Sequence, residues 1–274
     1  MNLVVQGPAL GSGDLDAVAL LAKPQATRQI APHAFRLIGA MKNEGIAALC
    51  DARRIDHAWM AEGRRFADLR LVAMDMDSTL ITMETIDELG DLVGKKPEIA
   101  AITARAMRGE IDYPESLRQR VALLKGMDEK GLLEVYEKRL RLTTGAETLL
   151  AACKRHGVKT LLVSGGFTFF VERLKERLGI DYTISNTLEI ANGRLTGRVL
   201  GDIVDAEAKA AKFLQLAKSL QKEQTVAIGD GANDLRMMAE AGLSIAFHAK
   251  PVVRAQASCA ISWCGLDAVP NLFE

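Results

Sequence analysis

Two aspartates follow an apolar run in residues 69–80, LRLVAMDMDSTL, and their spacing suits a shared reactive site. The run ends at Asp75, and Asp77 comes two residues later. Residues i and i+2 of an extended chain point to the same side, so both carboxylates can face one site. Carboxylates beside a buried strand are unfavourable without a charged partner, and a cation is the natural one. For this segment by itself, an Asp-rich turn or a helix N-cap is the alternative interpretation.

Two later apolar runs also end in polar residues. The run 158–163 leads into SGGF, residues 164–167, and the run 225–228 leads into GDGANDL, residues 229–235. The polar groups added in this way are those of Ser164, Asp230, Asn233 and Asp234. Because the carboxyl ends of parallel strands meet at one edge of a sheet, we expect these groups to converge with the first pair of aspartates.

Phosphoryl transfer is the chemistry that this set of residues suits. Asp75, Asp77 and Asp230 supply the hard oxygen ligands that Mg²⁺ prefers. The Ser164 hydroxyl, backbone N–H groups near residues 77–79 and at Gly165, and a lysine can bind phosphoryl oxygens. A carboxylate can also attack phosphorus itself and form an aspartyl-phosphate.

The elements that must position these groups alternate between strands and helices from residue 69 onward, which predicts an α/β fold with a parallel sheet. Residues 85–142 lie between the first two strands and show apolar residues at helical spacing with Gly or Pro breaks. A helical insert directly after a catalytic strand makes a good lid, and a purely structural bundle is the alternative. Further on, Asn192-Gly193 predicts a hairpin turn, and Lys209 falls on a helix predicted over 206–218.

The first 66 residues read as a small, separate α+β module. Strand and helix candidates follow the order β-α-β-β-α-β, which is typical of a ferredoxin-like sandwich. Residues 61–68, AEGRRFAD, are charged and predict a linker. The predicted domains are therefore the module (1–66), a catalytic core (67–84 and 143–274) and a helical cap inserted in that core (85–142).

Composition excludes several classes of protein. Lys plus Arg and Asp plus Glu both total 35, so no overall positive field favours nucleic acid or an acidic membrane. The four cysteines form no CxxC pair and have no His cluster beside them, which argues against a zinc or redox motif and favours a reducing, cytoplasmic setting. We expect no signal peptide, because a basic n-region and a long apolar h-region are missing, and no apolar run is long enough to span a bilayer.

Together, these motifs resemble those of a known family of enzymes. Four parts of the sequence resemble, in their order along the chain, the four motifs of haloacid dehalogenase-like phosphatases: DMDST, SGGF, a lysine and GDGANDL. The phosphoserine phosphatase family is similar in further segments, namely ETIDE (84–88), AMRGEIDY (106–113), SLRQRVALLKG (116–126) and GDIVDAEAK (201–209). The resemblance covers residues 69–265. It implies a Rossmann-like sheet with an inserted cap, and Mg²⁺-dependent hydrolysis of O-phospho-L-serine through an aspartyl-phosphate, the last step of serine biosynthesis.

The resemblance also implies roles for single residues in the chemical step. Asp75 would be the nucleophile, and Asp77 the general acid and base. Mg²⁺ would be held by the Asp75 side chain, the Asp77 backbone oxygen and Asp230. Ser164 and Lys209 would bind the phosphoryl oxygens. Lys212 is the competing lysine, and Asp234 would support the metal site from behind or orient the lysine.

Substrate selection would fall to the cap. Glu84 would pair with the substrate ammonium, and Arg120 would bind its carboxylate through two parallel hydrogen bonds. Met107 and Tyr113 would line the pocket and exclude water. Gly165 and Asn233 would complete the substrate-binding set.

Other functions fit less well or stay open. GDGAND lacks the GxGxxG pattern of a dinucleotide-binding dehydrogenase. A receiver-type phospho-acceptor module needs no cap and no Glu84–Arg120 pair. A phosphatase or phosphotransferase acting on another small phosphorylated substrate, such as phosphohomoserine, is the nearest alternative, and a non-enzymatic descendant is expected to have lost Asp75. A homodimer and a small ligand at the N-terminal module remain open, whereas a nucleic-acid or membrane partner is not expected.

Overall fold

The computed structural model describes residues 1–274 and contains two sheets. The strands of the larger sheet are β5 (Leu71–Asp75), β6 (Lys159–Phe167), β7 (Tyr182–Ala191), β8 (Arg194–Leu200), β9 (Thr225–Gly229), β10 (Leu243–Phe247) and β11 (Cys259–Ile261). These seven strands lie in the order β11-β10-β9-β5-β6-β7-β8, and every neighbouring pair is parallel except β7 and β8. The predicted α/β class is confirmed.

The central strands β5, β9 and β10 are buried on both faces, which explains why they read as continuous apolar runs. In β5, Val72 and Met74 pack into one core cluster, whereas Leu71 and Ala73 pack into another. The helices that cover the sheet are α7 (Ala146–His156), α8 (Thr168–Leu178), α9 (Ala206–Ala217), α10 (Leu235–Glu240) and α11 (Pro251–Arg254). No helix of the protein has both the length and the apolar character that a bilayer crossing requires.

The insert between β5 and β6 is helical. It contains α3 (Thr85–Leu92), α4 (Lys96–Met107), α5 (Tyr113–Ala122) and α6 (Lys130–Glu134), followed by a helical turn over Val135–Arg139. Pro114 stands in the first turn of α5, and the Asp112 side chain caps the helix by accepting from the Glu115 N–H at 2.8 Å. We call residues 85–142 the cap below, and its boundaries remain predictions.

The turn at Asn192-Gly193 joins β7 to β8 as predicted, and the resulting hairpin reaches the cap. The Gly126 N–H donates to the Leu195 carbonyl at 2.8 Å, and the Leu195 N–H donates to the Met127 carbonyl at 2.9 Å. The sequence pattern gave no indication of this contact, because hairpin signals are local and do not identify what the hairpin packs against.

The N-terminal module has the predicted β-α-β-β-α-β order, with the elements β1 (Asn2–Gln6), α1 (Ser12–Ala22), β2 (Ala26–Ala31), β3 (Ala34–Ile38), α2 (Gly45–Ala52) and β4 (Asp56–Met60). Its four strands form an antiparallel sheet in the order β2-β3-β1-β4. In β1, Leu3 and Val5 pack with the module's own helices, but Val4 belongs to the core cluster of the seven-stranded sheet. The module is thus packed against the rest of the chain through a shared core.

Residues 61–68, predicted as a linker, are instead partly ordered by tertiary contacts. Phe66 begins a helical turn, is 6% exposed and packs edge-to-face against Phe273. The carboxyl end of the chain lies along the module. Arg36 of β3 donates to the carbonyl oxygens of Asn271 and Phe273 at 3.1 and 2.7 Å. These contacts have no local signal in the sequence, because the partners lie more than 230 residues apart.

Candidate active site

The carboxyl ends of three adjacent strands, β9, β5 and β6, form one side of the candidate site. Nine of the twelve predicted site residues line a single cavity of about 640 Å³ between this sheet edge and the cap. They are Asp75, Asp77, Glu84, Met107, Tyr113, Arg120, Gly165, Asp230 and Asn233. The other three, Ser164, Lys209 and Asp234, are at most 1% exposed and hold the cavity residues from behind. Asp75 and Asp234, which are 159 residues apart in sequence, thus lie at the same edge of the sheet.

A buried lysine connects two of the aspartates. Lys209 of α9 donates from Nζ to Asp75 Oδ1 at 2.5 Å and to Asp234 Oδ1 at 2.8 Å. Burial acts to lower the pKa of Lys209, but Asp234 and Asp75 outweigh it and raise that pKa above its usual value. Lys212, the competing lysine, is half-buried on the same helix and reaches only Gln215, at 3.2 Å. Of the two lysines, Lys209 is the one that the fold brings to the aspartates.

Asp77 is held in a different way from Asp75. Its Oδ1 accepts the Thr85 backbone N–H at 2.9 Å, and its Oδ2 accepts the Thr85 hydroxyl at 3.4 Å. Burial and the nearby Glu84 carboxylate raise the pKa of Asp77 to about 8, although the hydrogen bonds from Thr85 act to lower it. A carboxyl group with this pKa can hold a proton at neutral pH, as a general acid must.

Three carboxylates form a cluster that could hold a metal ion, with one oxygen of each within 4.8 Å of the others. They belong to Asp75, Asp230 and Asp234. Both oxygens of Asp234 are engaged, one by Lys209 and the other by the Gly231 N–H at 3.1 Å. Asp75 accepts from the protein only through Oδ1, and Asp230 accepts only a long 3.4 Å hydrogen bond from the Thr79 hydroxyl. The oxygens left for a cation thus belong to Asp75 and Asp230, and Asp234 lies behind them.

The charges of this cluster fit a divalent cation. Burial, together with Asp234 and Glu84, raises the pKa of Asp230 to about 6. Burial and Asp234 likewise raise the pKa of Asp75, and the Lys209 ammonium only partly opposes them. A single lysine does not neutralise so many close carboxylates, so a hard cation at the free oxygens would relieve the remaining repulsion.

The second motif supplies a hydroxyl and two glycines. The Gly166 N–H donates to Ser164 Oγ at 2.9 Å, which leaves the hydroxyl proton available to another acceptor. A Cβ at Gly166 would come within 2.8 Å of Asp77 Oδ2 and 3.0 Å of Ser164 Oγ. Glycine is required there because the backbone approaches the Asp77 carboxylate so closely.

Residues of the cap and of the first loop close the other side of the cavity. Glu84 accepts the Ser78 hydroxyl at 2.8 Å, and Ser78 has a left-handed backbone with φ of 56°. The Ser78 N–H donates to the Met83 carbonyl at 3.2 Å, so it is not one of the free phosphate donors expected near residues 77–79. Arg120 lies over the Tyr113 ring, 5.9 Å from its centroid, and donates to the Ser116 carbonyl at 3.3 Å. The guanidinium retains further N–H donors for an anion in the cavity.

Three contributors were not assigned from the sequence. Thr85 holds Asp77, Thr79 contacts Asp230, and Lys250 lies at the rim of the cavity, where its charge opposes the rise in the pKa of Asp230. Thr79 and Thr85 belong to the DMDST and ETIDE segments, so a signal for them was present. Lys250 has no comparable signal, because it reaches the site only through the turn after β10.

Comparisons with known proteins agree with this geometry. A family model described as haloacid dehalogenase-like hydrolase matches residues 72–239, and a domain of unknown function (DUF4072) matches residues 3–54. The phosphoserine phosphatase of Polaromonas sp. (strain JS666 / ATCC BAA-500) is 56% identical over 217 residues, covering 77% of this chain and 92% of that protein.

Solved structures give the same picture. The unliganded probable phosphoserine phosphatase from Vibrio cholerae is 38% identical, with a TM-score of 0.87 over 99% of this chain and 86% of that one. A substrate-bound phosphoserine phosphatase complex is 40% identical, with a TM-score of 0.66 over 71% of this chain and 93% of that one. The first of these similarities includes the N-terminal module, whereas the second covers a smaller part of the chain.

Proposed function

We propose that this chain hydrolyses O-phospho-L-serine to L-serine and phosphate. The chain belongs to the haloacid dehalogenase-like hydrolases, on the branch of the phosphoserine phosphatases. The observation that carries this proposal is the convergence of Asp75, Asp77, Lys209 and Asp230 at the base of a cavity that also contains Glu84 and Arg120. The curated relatives at 43–56% identity are phosphoserine phosphatases, so the alternative of another small phosphorylated substrate is not favoured.

Asp75 is the proposed nucleophile. Its carboxylate oxygen forms a bond to phosphorus while the bond from phosphorus to the serine oxygen breaks, and the product is an aspartyl-phosphate. Lys209 orients Asp75 through the 2.5 Å hydrogen bond, and its ammonium group would offer positive charge to the phosphoryl oxygens. The Ser164 hydroxyl would donate a hydrogen bond to the same oxygens. Mg²⁺, held by Asp75, Asp230 and the Asp77 backbone oxygen, would neutralise phosphoryl charge when bound.

Asp77 is the proposed proton carrier. Its carboxyl proton moves to the departing serine oxygen in the first step. In the second step the Asp77 carboxylate takes a proton from water, the water oxygen attacks phosphorus, and the Asp75 carboxylate is regenerated. Thr85 fixes the side chain, and the pKa near 8 keeps a proton available for the first step at neutral pH.

Recognition of the amino acid is assigned to Glu84 and Arg120. The Glu84 carboxylate would bind the ammonium group, and the Arg120 guanidinium would bind the carboxylate with two parallel hydrogen bonds. Gly165 and Asn233 line the same cavity and would complete the binding set. The cap would exclude water while the phosphoryl group is transferred.

The cellular location, the pathway and the assembly of the protein are proposals as well. A cytoplasmic location fits four free cysteines, and serine biosynthesis is the pathway in which this reaction occurs in the family. Homodimerisation and binding of a small ligand by the module of residues 1–66 also remain predictions.

The test is a panel of phosphate esters with and without Mg²⁺, comprising L-phosphoserine, phosphothreonine, phosphohomoserine and small sugar phosphates. We expect Mg²⁺-dependent phosphate release that is fastest with L-phosphoserine, and no turnover above background for Asp75→Asn. The Asp16→Asn variant, which changes an exposed carboxylate of the N-terminal module, is the matched control and should retain wild-type turnover. Preference for another ester in the panel would replace the proposed substrate, and full turnover by Asp75→Asn would overturn the covalent mechanism.

A further inference from the structure

Tyr113 connects the cap to the strand that carries Ser164. It is the first residue of α5, and its hydroxyl donates across the cavity to the Gly165 carbonyl at 3.0 Å. Gly165 lies in the last part of β6, directly after Ser164. A phenylalanine would fill the same space but would be unable to make this hydrogen bond.

The peptide unit between Gly165 and Gly166 is held on both sides. Its carbonyl also accepts from Asn186 Nδ2 at 2.8 Å, and the Asn186 side-chain oxygen accepts the Val204 N–H at 2.8 Å. Its N–H, which belongs to Gly166, donates to Ser164 Oγ at 2.9 Å. Because a peptide unit is planar and rigid, fixing the carbonyl direction also fixes the N–H direction.

This arrangement has a consequence for Ser164. The Gly166 N–H occupies one lone pair of Ser164 Oγ, so it limits where the hydroxyl proton can point. Hydrogen bonds in series also polarise one another, so a donor on the carbonyl makes the N–H at the other end a stronger donor. The Tyr113 hydroxyl therefore influences Ser164 through one peptide unit, without contacting it.

The glycines make this close approach possible. A Cβ at Gly165 would collide with the Tyr113 hydroxyl oxygen. Burial raises the pKa of Tyr113 to about 12, so the hydroxyl remains a donor throughout the neutral range. The contact thus depends on a tyrosine in the cap and a residue without a side chain in the core.

We propose that Tyr113 is a positioning residue which couples closure of the cap to the orientation of the Ser164 hydroxyl that binds the phosphoryl group. The closed cap completes the hydrogen-bond chain from Tyr113 through the Gly165–Gly166 peptide to Ser164. An open cap removes the donor from the Gly165 carbonyl and leaves only Asn186 to hold it. The role assigned to Ser164 rests on the proposed function, but the hydrogen bond between cap and core does not.

The first test is Tyr113→Phe, measured with L-phosphoserine and Mg²⁺ in the full-length protein. Loss of one partly buried hydrogen bond should lower kcat/KM by about fivefold to tenfold, with most of the loss in kcat. Tyr182→Phe is the matched control, because Tyr182 is 38% exposed at the start of β7, and it should stay within about twofold of wild type. Equal kcat in Tyr113→Phe and wild type would overturn the proposal.

A double-mutant cycle shows whether the effect passes through Ser164. In a Ser164→Ala background the additional Tyr113→Phe change should lower kcat/KM by less than about twofold, because the group being positioned is already missing. A merely structural or water-excluding tyrosine would give the full loss in both backgrounds. Such additivity would contradict the proposed coupling.

Hydrogen–deuterium exchange without substrate tests the contact by itself. Tyr113→Phe should speed exchange of amides in α5 and at Gly166 relative to wild type, while amides of β9 remain unchanged. If the wild-type protein hydrolyses no phosphoserine, the proposed function fails. The exchange measurement then still shows whether the Tyr113 hydroxyl holds the cap against the core. Unchanged exchange in α5 would show that the Tyr113 hydroxyl does not hold the cap.

Discussion

Replacing Lys209 by methionine removes the charge at the centre of the candidate site and keeps a side chain of similar length. Lys209 is 1% exposed and donates to Asp75 at 2.5 Å and to Asp234 at 2.8 Å. The methionine leaves both carboxylates buried without their cation. Two properties should change together, namely turnover and folding stability.

The size of each change follows from these contacts. Removing one partner of a buried ion pair costs about 3–5 kcal/mol of unfolding free energy, because the remaining charge is uncompensated. Loss of a preorganised positive group next to a transferring phosphoryl group costs about 10²–10³-fold in kcat. Lys212→Met is the control on the same helix, and we expect a stability change of about 0.5 kcal/mol or less with normal turnover, since Lys212 reaches only the exposed Gln215.

The pH dependence of the Lys209→Met stability loss can also be worked out. Burial and Asp234 raise the pKa of Asp75, and Lys209 opposes this rise, so the variant should have a still higher pKa at Asp75. A carboxyl group whose folded-state pKa lies above its unfolded value of about 3.9 stabilises the folded state fully at pH values below the unfolded pKa. This stabilisation is lost as the pH rises through the folded-state pKa. The variant should therefore lose more stability at pH 8 than at pH 5.

The assay is urea denaturation of wild type, Lys209→Met and Lys212→Met in the presence of a chelator, at pH 5 and pH 8, with parallel measurement of phosphoserine turnover with Mg²⁺. The reasoning is refuted if Lys209→Met unfolds at the same urea concentration as wild type at both pH values. Turnover within about threefold of wild type would show separately that Lys209 has no role in the phosphoryl-transfer step.

Two further changes probe substrate selection and the N-terminal module. Arg120→Ala should lower kcat/KM for phosphoserine by about 10–100-fold but leave an aryl phosphate without a carboxylate nearly unaffected. The exposed Arg118→Ala is its control, and equal losses on both substrates would contradict the assignment. Asp56→Ala should lower the unfolding free energy by about 3 kcal/mol, because Asp56 is buried and accepts backbone N–H groups from residues 262–264 at 2.6–3.2 Å. Urea unfolding followed by tryptophan fluorescence measures this loss against the exposed Asp51→Ala, and an equal midpoint for the two variants would show that the contact adds nothing.

Much of the candidate site could be predicted because the residues at its strand ends have local signals. Asp75 and Asp77 come directly after an apolar strand, and the polar residues after β6 and β9 have the same relation to their strands. A parallel sheet brings such ends together irrespective of how far apart they are in sequence. The order of strands and helices in the N-terminal module was likewise readable from periodicity and turns.

The N-terminal module is packed against the rest of the chain. Its sequence suggests a separate unit followed by a charged linker, yet Arg36 and Asp56 bind the end of the chain more than 200 residues away. Periodicity does show that β1 is apolar on both faces, but it does not say which surface covers the second face. That surface consists of the catalytic core and the carboxyl-terminal segment.

The amino-acid sequence by itself determined which chemical groups are present, on which elements they lie and at which edge of the sheet they meet, because alternation and helical period are properties of neighbouring residues. Only the tertiary structure decided between Lys209 and Lys212, which lie three residues apart on one helix, because burial depends on what packs against that helix. The contact from Tyr113 to Gly165 was decided in the same way. Its two ends are 52 residues apart, and the hydrogen bond forms only when the cap folds back over the sheet.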